Sequence, residues 1–262
     1  MAVFVHEILG HRMEGHRQKM EDFGRTFTDK IGQQVVSPIL TIIDDATLSY
    51  FNGEVMRGFY EYDDEGVKSR PVTLVEKGVL KNFLMSSSPI KNFPASNGHG
   101  RGNHYFRPVA RMAVTRALAE QTVTYDELEK KFLQEIKRQN KPYGFMIEDL
   151  SGGFTMTDTY SPQAFKLEPT LMYRVYPDGR KEVVRGLDMV GTPQVSFNKV
   201  LAAADDYQVF NGSCGAESGW VPVSAIAPSV LLESMEMEKK QKSTEKPPLL
   251  PPPYSLHKGV SK

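Results

Sequence analysis

Two histidines five positions apart, His6 and His11, bracket the run His6-Glu7-Ile8-Leu9-Gly10-His11, and their spacing restricts how this segment can fold. An α-helix turns about 100° per residue, so side chains five apart diverge by roughly 140°. Imidazoles so placed cannot both meet one ion at about 2.0–2.1 Å. The common zinc-protease pattern, H-E-x-x-H, sets its histidines four apart on one helix face. For His6 and His11 to act together, the helix must carry a π-type distortion or break between Glu7 and His11. Gly10 supplies the backbone freedom for either. Glu7, next to the first imidazole, then points away from the ion and is placed to hydrogen-bond a water. Two imidazoles and a carboxylate are the minimum kit for metal-assisted hydrolysis.

A catalytic zinc generally takes three protein ligands and keeps one position open. The candidates for the third are Cys214, His16, Glu14 and more distant carboxylates. Cys214 lies in Asn211-Gly212-Ser213-Cys214-Gly215, which reads as a flexible turn able to present a thiolate. An inert small hydrophobe accounts for a lone cysteine equally well. Glu14, three after His11, is placed either to orient that ring or to be solvated. His16 reads as a surface helix residue. His99 and His104 fall in a Gly- and Asn-rich loop, where turn or surface roles are the ordinary ones.

Bulk properties exclude several function classes. Lys plus Arg and Asp plus Glu number 32 each, so there is no global field to draw nucleic acid or an anionic membrane. No apolar run approaches the roughly 20 residues needed to span a bilayer. A single cysteine rules out an intrachain disulfide and fits a reducing, cytoplasmic compartment. Met1 to Val5 is too short for a signal-peptide core. A chemical site so near a chain start, where termini fray, suggests the C-terminal portion of a longer protein. Any export signal would then lie in the missing part.

The fold class expected is α+β, mostly antiparallel sheets, with a motif-bearing helix at the N-terminus and a few further helices. Val3 to Lys19 reads as a strand end or loop feeding a helix. Gln33 to Ile43 is β-rich, closed by Asp44-Asp45. Arg70 to Met85 reads as a hairpin turning at Lys77-Gly78, and Thr170 to Arg185 as another turning at Pro177-Asp178-Gly179. Thr124 to Glu127 fits a capping box, with Leu128, Phe132, Leu133 and Ile136 as the apolar stripe of the helix that follows. Ser151-Gly152-Gly153 reads as a turn, 197–204 as a short helix and Val221 to Leu232 as extended chain. The body is assigned to 1–238, and 239–262 to a basic, proline-rich disordered tail.

Four blocks, in order, resemble the TldD/PmbA family, specifically its TldD-like members. They are F-V-H-E-I-L-G-H-R-M-E-G-H-R, Y-D-D-E-G-V-K-S-R-P-V-T-L-V-E-K-G-V-L-K-N-F-L-M, S-N-G-H-G-R and N-G-S-C-G-A-E-S-G. The resemblance covers about Val3 to Leu232. It implies a zinc-dependent peptidase acting on unfolded or flexible peptides, with His6, His11 and Cys214 holding the metal and Glu7 as general base. It also implies a homodimer, or a heterodimer with a PmbA-like (TldE) subunit, and an N-terminal family domain absent from this chain. His99, Arg101, His104 and Tyr105 are the candidate donors toward substrate. The competing reading is a non-catalytic or partner-dependent peptide-binding subunit. A deaminase would need C-x-x-C, which the chain lacks.

Overall fold

The computed structural model describes residues 1–19, 27–156 and 165–240. In chain order the elements begin with α1 (Ala2–Ile8), followed by 3-10 turns at Gly10–Met13 and Gly15–Gln18. Then come β1 (Leu40–Asp45), β2 (Tyr50–Phe51), β3 (Glu54–Val55), β4 (Pro71–Glu76), β5 (Val79–Leu80), β6 (Gly100–Arg101), β7 (Val109–Ala110) and β8 (Val114–Ala119). After α2 (Tyr125–Arg138) follow β9 (Gly144–Thr155), β10 (Phe165–Val175), β11 (Lys181–Val184) and β12 (Leu187–Gly191). The last elements are α3 (Pro193–Asn198), β13 (Val200–Ala203), β14 (Gln208–Ala216), β15 (Gly219–Ala227), β16 (Val230–Leu232) and β17 (Glu236–Lys239).

Turn chemistry accounts for the first hairpin. Lys77 and Gly78 both take positive φ, 46° and 82°, the two-residue geometry that matches right-handed strand twist. A Cβ on Gly78 would stand 2.7 Å from the Val36 carbonyl oxygen, so the position has no room for a side chain. β4 and β5 pair across this turn. The α2 helix starts where the capping box predicts. Thr124 accepts from the Glu127 amide, and the Glu127 carboxylate accepts from the Thr124 amide.

Two larger sheets organise the chain. One is six-stranded, in the order β14-β15-β8-β1-β4-β5. The other runs β11-β10-β12-β17, with β9 also paired to β10. Every pair among the described strands is antiparallel except β15 with β8. That parallel contact brings a late strand beside an early one and delivers the β14–β15 hairpin to the first residues of the chain. The fold is α+β with mostly antiparallel sheets.

α1 is apolar on nearly every side, the pattern of a core helix. It touches β8, β14 and β15 of one sheet and β9 and β10 of the other. Phe4 packs edge-on to Phe165, with ring centroids 6.1 Å apart, and lies 4.8 Å from the Phe197 ring. Each such aromatic burial stabilises by about 1.5–3 kcal/mol. His6 and Glu7 are thus carried by a helix whose other residues are nearly all buried, and His11 by the turn that follows it.

Several local expectations change. The chain enters through a helix rather than a strand or loop, because the first five residues are wholly apolar and find two sheets to cover them. The Gly-rich stretch 151–153 lies inside β9 as strand, with the register against β10 irregular near Pro169. The helix expected over 197–204 ends at Asn198, and 200–203 is strand β13, pairing β16. Asp44 and Asp45 belong to β1 rather than closing it. From residue 241 onward the expected tail lies outside the described residues.

Candidate metal centre

α1 stops at Ile8, and Leu9, at φ −109° and ψ −47°, passes the chain into the 3-10 turn. Close packing accompanies the break. A Cβ on Gly10 would come 1.8 Å from Met112 Sδ, so glycine lets the turn close on that side chain as it stands. Beyond it the segment is pinned at Leu84: Leu84 N donates to Met13 O (2.8 Å) and Gly15 N donates to Leu84 O (2.8 Å). Of the two distortions the spacing allowed, the chain uses helix termination. The His6 and His11 rings end 5.2 Å apart, nearly perpendicular at 83°.

Cys214 meets them from β14. Its Sγ lies 3.3 Å from His11 Nε2. The ligand atoms of His6, His11 and Cys214 all fall within 4.8 Å of one another, and all three residues are buried. Nitrogen and sulfur ligands at about 2.1 and 2.3 Å from one tetrahedral ion stand about 3.6 Å apart. His6 Nδ1 is buried without a hydrogen-bond partner. Two imidazoles and a thiol form a donor set of zinc type, and the residues present fit such an ion.

The cysteine setting differs from the expected flexible turn. Cys214 sits within β14, paired with Val221 of β15, and the turn lies further on at 217–218. Polar and glycine residues around it misled the reading. Burial opposes ionisation of the thiol, but hydrogen bonds from His11 and His6 and their charge bring it down to about 5. Burial likewise opposes charge on His11, yet Glu14 and the Cys214 hydrogen bond raise it to about 10. A cation placed between them would favour the thiolate and displace the proton from the imidazole nitrogen that faces it.

Glu14 is completely buried, which settles its alternatives in favour of orientation. Its Oε2 takes His11 Nδ1 at 3.2 Å and Arg17 Nε at 2.6 Å, and its Oε1 lies 3.4 Å from Arg111 Nε. Burial alone would raise its pKa, but His11, Arg17 and Arg111 together hold it well below the usual carboxylate range. A histidine whose second nitrogen is so engaged presents Nε2 in a fixed direction. His16 is buried as well, against the surface reading, and bonds the Glu217 carboxylate. Arg17 reaches the same group at 3.0 Å.

Glu7 is half-buried and beside the cluster. Burial raises its pKa, with His6 and His11 pulling the other way. A Cβ built on Gly153 would lie 3.4 Å from Glu7 Cγ, so β9 passes next to the acid at a residue with no side chain. β9 pairs only with β10 among the described strands, which leaves its other edge free of strand partners.

The four candidate donors of the loop are placed differently from one another. His99 is fully buried, with Nε2 3.2 Å from Asp44 Oδ1 and Nδ1 3.2 Å from Asn97 O. Arg101 is buried too, donating to Met112 O at 2.5 Å and lying over the Tyr60 ring. Both side chains brace the fold from within. His104 and Tyr105 are exposed, Tyr105 at 91%. Their loop reaches the β14–β15 turn, where Asn103 N donates to Ser218 O. The residue that sequence reasoning missed is Arg111, wholly buried and bonded to Cys214 O at 2.8 Å. Its signal was an arginine inside the small apolar run Val109 to Val114. A charge there demands buried partners.

The chain matches the family model of the PmbA/TldA metallopeptidase C-terminal domain over residues 1–239. It belongs to that family. A metalloprotease of Methanocaldococcus jannaschii is 30% identical over 223 residues, 85% of this chain and 45% of the relative. A protein named metalloprotease TldD homolog from Haemophilus influenzae is 30% identical over 238 residues, 89% of this chain and 45% of the relative. Among solved structures, a Thermotoga maritima protein described as a candidate modulator of a DNA gyrase superposes with TM-score 0.63 at 20% identity, covering 90% of this chain and 47% of that one. TldE from Thermococcus kodakarensis gives 0.55 at 15% identity, covering 87% and 46%. The chain thus spans about half the length of the relatives it matches. Among the described residues, no helix is long and apolar enough to cross a membrane.

Proposed function

We propose that this chain carries the catalytic centre of a zinc-dependent peptidase, with His6, His11 and Cys214 as metal ligands and Glu7 as general base. The observation that carries the reading is the convergence of three ligand atoms within 4.8 Å in a buried site. A relative from Saccharolobus solfataricus, 22% identical over 240 residues, is named a zinc metalloprotease TldD homolog. A divalent ion held by these residues would supply Lewis acidity, polarising a peptide carbonyl and bringing the ionisation of water toward neutral pH.

The chain's own groups do the rest. Glu7 takes the proton of the attacking water and passes it to the leaving amine, and its raised proton affinity suits both halves of that transfer. Glu14 fixes the His11 ring so that Nε2 faces Cys214. The negative thiolate tempers Lewis acidity compared with an all-imidazole set, which places more of the barrier on Glu7.

Peptide lies extended along the free edge of β9, where main-chain pairing tolerates varied side chains. A Cβ at Gly153 would lie 3.4 Å from Glu7 Cγ, so this stretch of β9 runs beside the base. This geometry suits unfolded or flexible chains. The complete enzyme is a dimer, of like subunits or with a TldE-like partner; the fold shared with TldE supports that pairing. The presence of all four groups, His6, Glu7, His11 and Cys214, favours catalysis over a scaffolding role.

The test measures zinc content and cleavage of an unstructured peptide by the full-length protein and by Glu7→Gln. The expected result is zinc in both and hydrolysis only in the first. Failure of the parent protein to retain zinc after loading would end the reading.

A further inference from the structure

We propose that Arg111 is a positioning residue for the metal centre, a single buried guanidinium that sets the separation of the Cys214 sulfur from the His11 ring. The proposal rests on the assignment of those two residues as ligands. Arg111 is among the largest fully buried side chains of the fold. Its Nη2 donates to Cys214 O (2.8 Å), and its Nη1 to Ser218 Oγ (2.8 Å) and Gly219 O (3.1 Å). These acceptors belong to both arms and the turn of the β14–β15 hairpin. On its other side Nε lies 3.4 Å from Glu14 Oε1, while the second oxygen of Glu14 holds His11 Nδ1. One planar cation therefore hydrogen-bonds the backbone of one ligand and pairs by charge alone with the carboxylate that orients the other.

The arginine itself is fixed. Its amide donates to His99 O at 2.9 Å, and the next residue, Met112, fills the space left by Gly10. A buried guanidinium is compensated only when its acceptors are in place, and removing one partner from such a pair leaves an uncompensated buried charge. Hairpin docking and alignment of the motif turn are thereby tied to each other. Lysine keeps the charge but offers no rigid fork, and it cannot reach the hairpin acceptors and Glu14 together.

Cobalt(II) is the probe, because its sulfur-to-metal charge-transfer band reports the thiolate separately from activity. The full 262-residue chain and Arg111→Lys are titrated with Co2+ against a chelator, with folding checked by circular dichroism. The parent chain is expected to show the band. Folded Arg111→Lys is expected to lose affinity by on the order of 10-fold or more, with a weakened band. A folded variant with parental affinity and band overturns the proposal, even if its melting temperature has dropped, because that is the mark of a packing role alone. Should Arg111→Lys not fold, Ser218→Ala decides, since it removes one acceptor of the same guanidinium. A loss of roughly 2- to 10-fold is expected there, and unchanged affinity overturns the proposal. A parent chain that binds Co2+ without the band removes Cys214 from the ligand set, and the role of Arg111 falls with it.

Discussion

Cys214 Sγ stands 3.3 Å from His11 Nε2, although 203 positions separate the two residues in the chain. If that contact is one side of a metal site, zinc should stabilise the fold. Saturation at 100 times the dissociation constant adds about 2.7 kcal/mol. Calorimetry with and without zinc is expected to show a rise in melting temperature for the parent chain and little or none for Cys214→Ser. Equal rises in both would remove the cysteine from the site.

Glu7→Gln preserves size and removes the base. Hydrolysis of an unstructured peptide should fall by roughly 100- to 10,000-fold. Zinc stoichiometry, read by elemental analysis, should stay at the parental value, since Glu7 is outside the cluster of His6, His11 and Cys214. Loss of zinc together with activity would recast Glu7 as a ligand.

Glu14→Gln leaves Arg17 and Arg111 without their shared carboxylate, and destabilisation of about 3–5 kcal/mol is expected in urea unfolding. The sign of the pH effect follows from the shift. A carboxylate with a depressed folded pKa stabilises above its unfolded value, near 4.3, and loses that stabilisation as pH falls toward the folded value. The parent chain should therefore lose stability below about pH 4 more steeply than the variant. Parallel pH profiles would contradict the role given to Glu14.

Gly10→Ala sets a methyl against Met112 Sδ and should cost about 1–3 kcal/mol by overpacking. Met112→Ala makes room for it, so the double variant should lose less than the sum of the two single losses. Strict additivity in that cycle would show that packing on Met112 is not what reserves position 10 for glycine.

Thr124→Ala is the control away from the site. It removes half of a capping box and should cost about 1 kcal/mol while leaving metal affinity at the parental value.

Much of this was legible because it is local. The α2 capping box and the Lys77-Gly78 turn each rest on residues within four positions, where chemistry and spacing decide the geometry. The required break between Glu7 and His11 was legible for the same reason, but its mechanism was not, because Met112 sits a hundred positions away. Cys214 looked loose because its neighbours are small and polar; its rigidity comes from pairing with Val221 and from Arg111. His99 and Arg101 looked available because glycine and asparagine surround them. Asp44, from β1, and Met112, from the link between β7 and β8, are what engage them. Side chains fixed by distant partners are the part a sequence read alone does not disclose.

The parallel pairing of β15 with β8 also bears on the order of events during synthesis. The histidines leave the ribosome before the cysteine, which follows His11 by 203 residues. At about 5–20 residues per second that is a delay of roughly 10–40 s. Throughout it, α1 has neither β14 nor β15 to cover it, and the imidazoles have no thiolate. During that interval a nascent chain carries an uncovered apolar helix, and protection of α1 from aggregation matters most then.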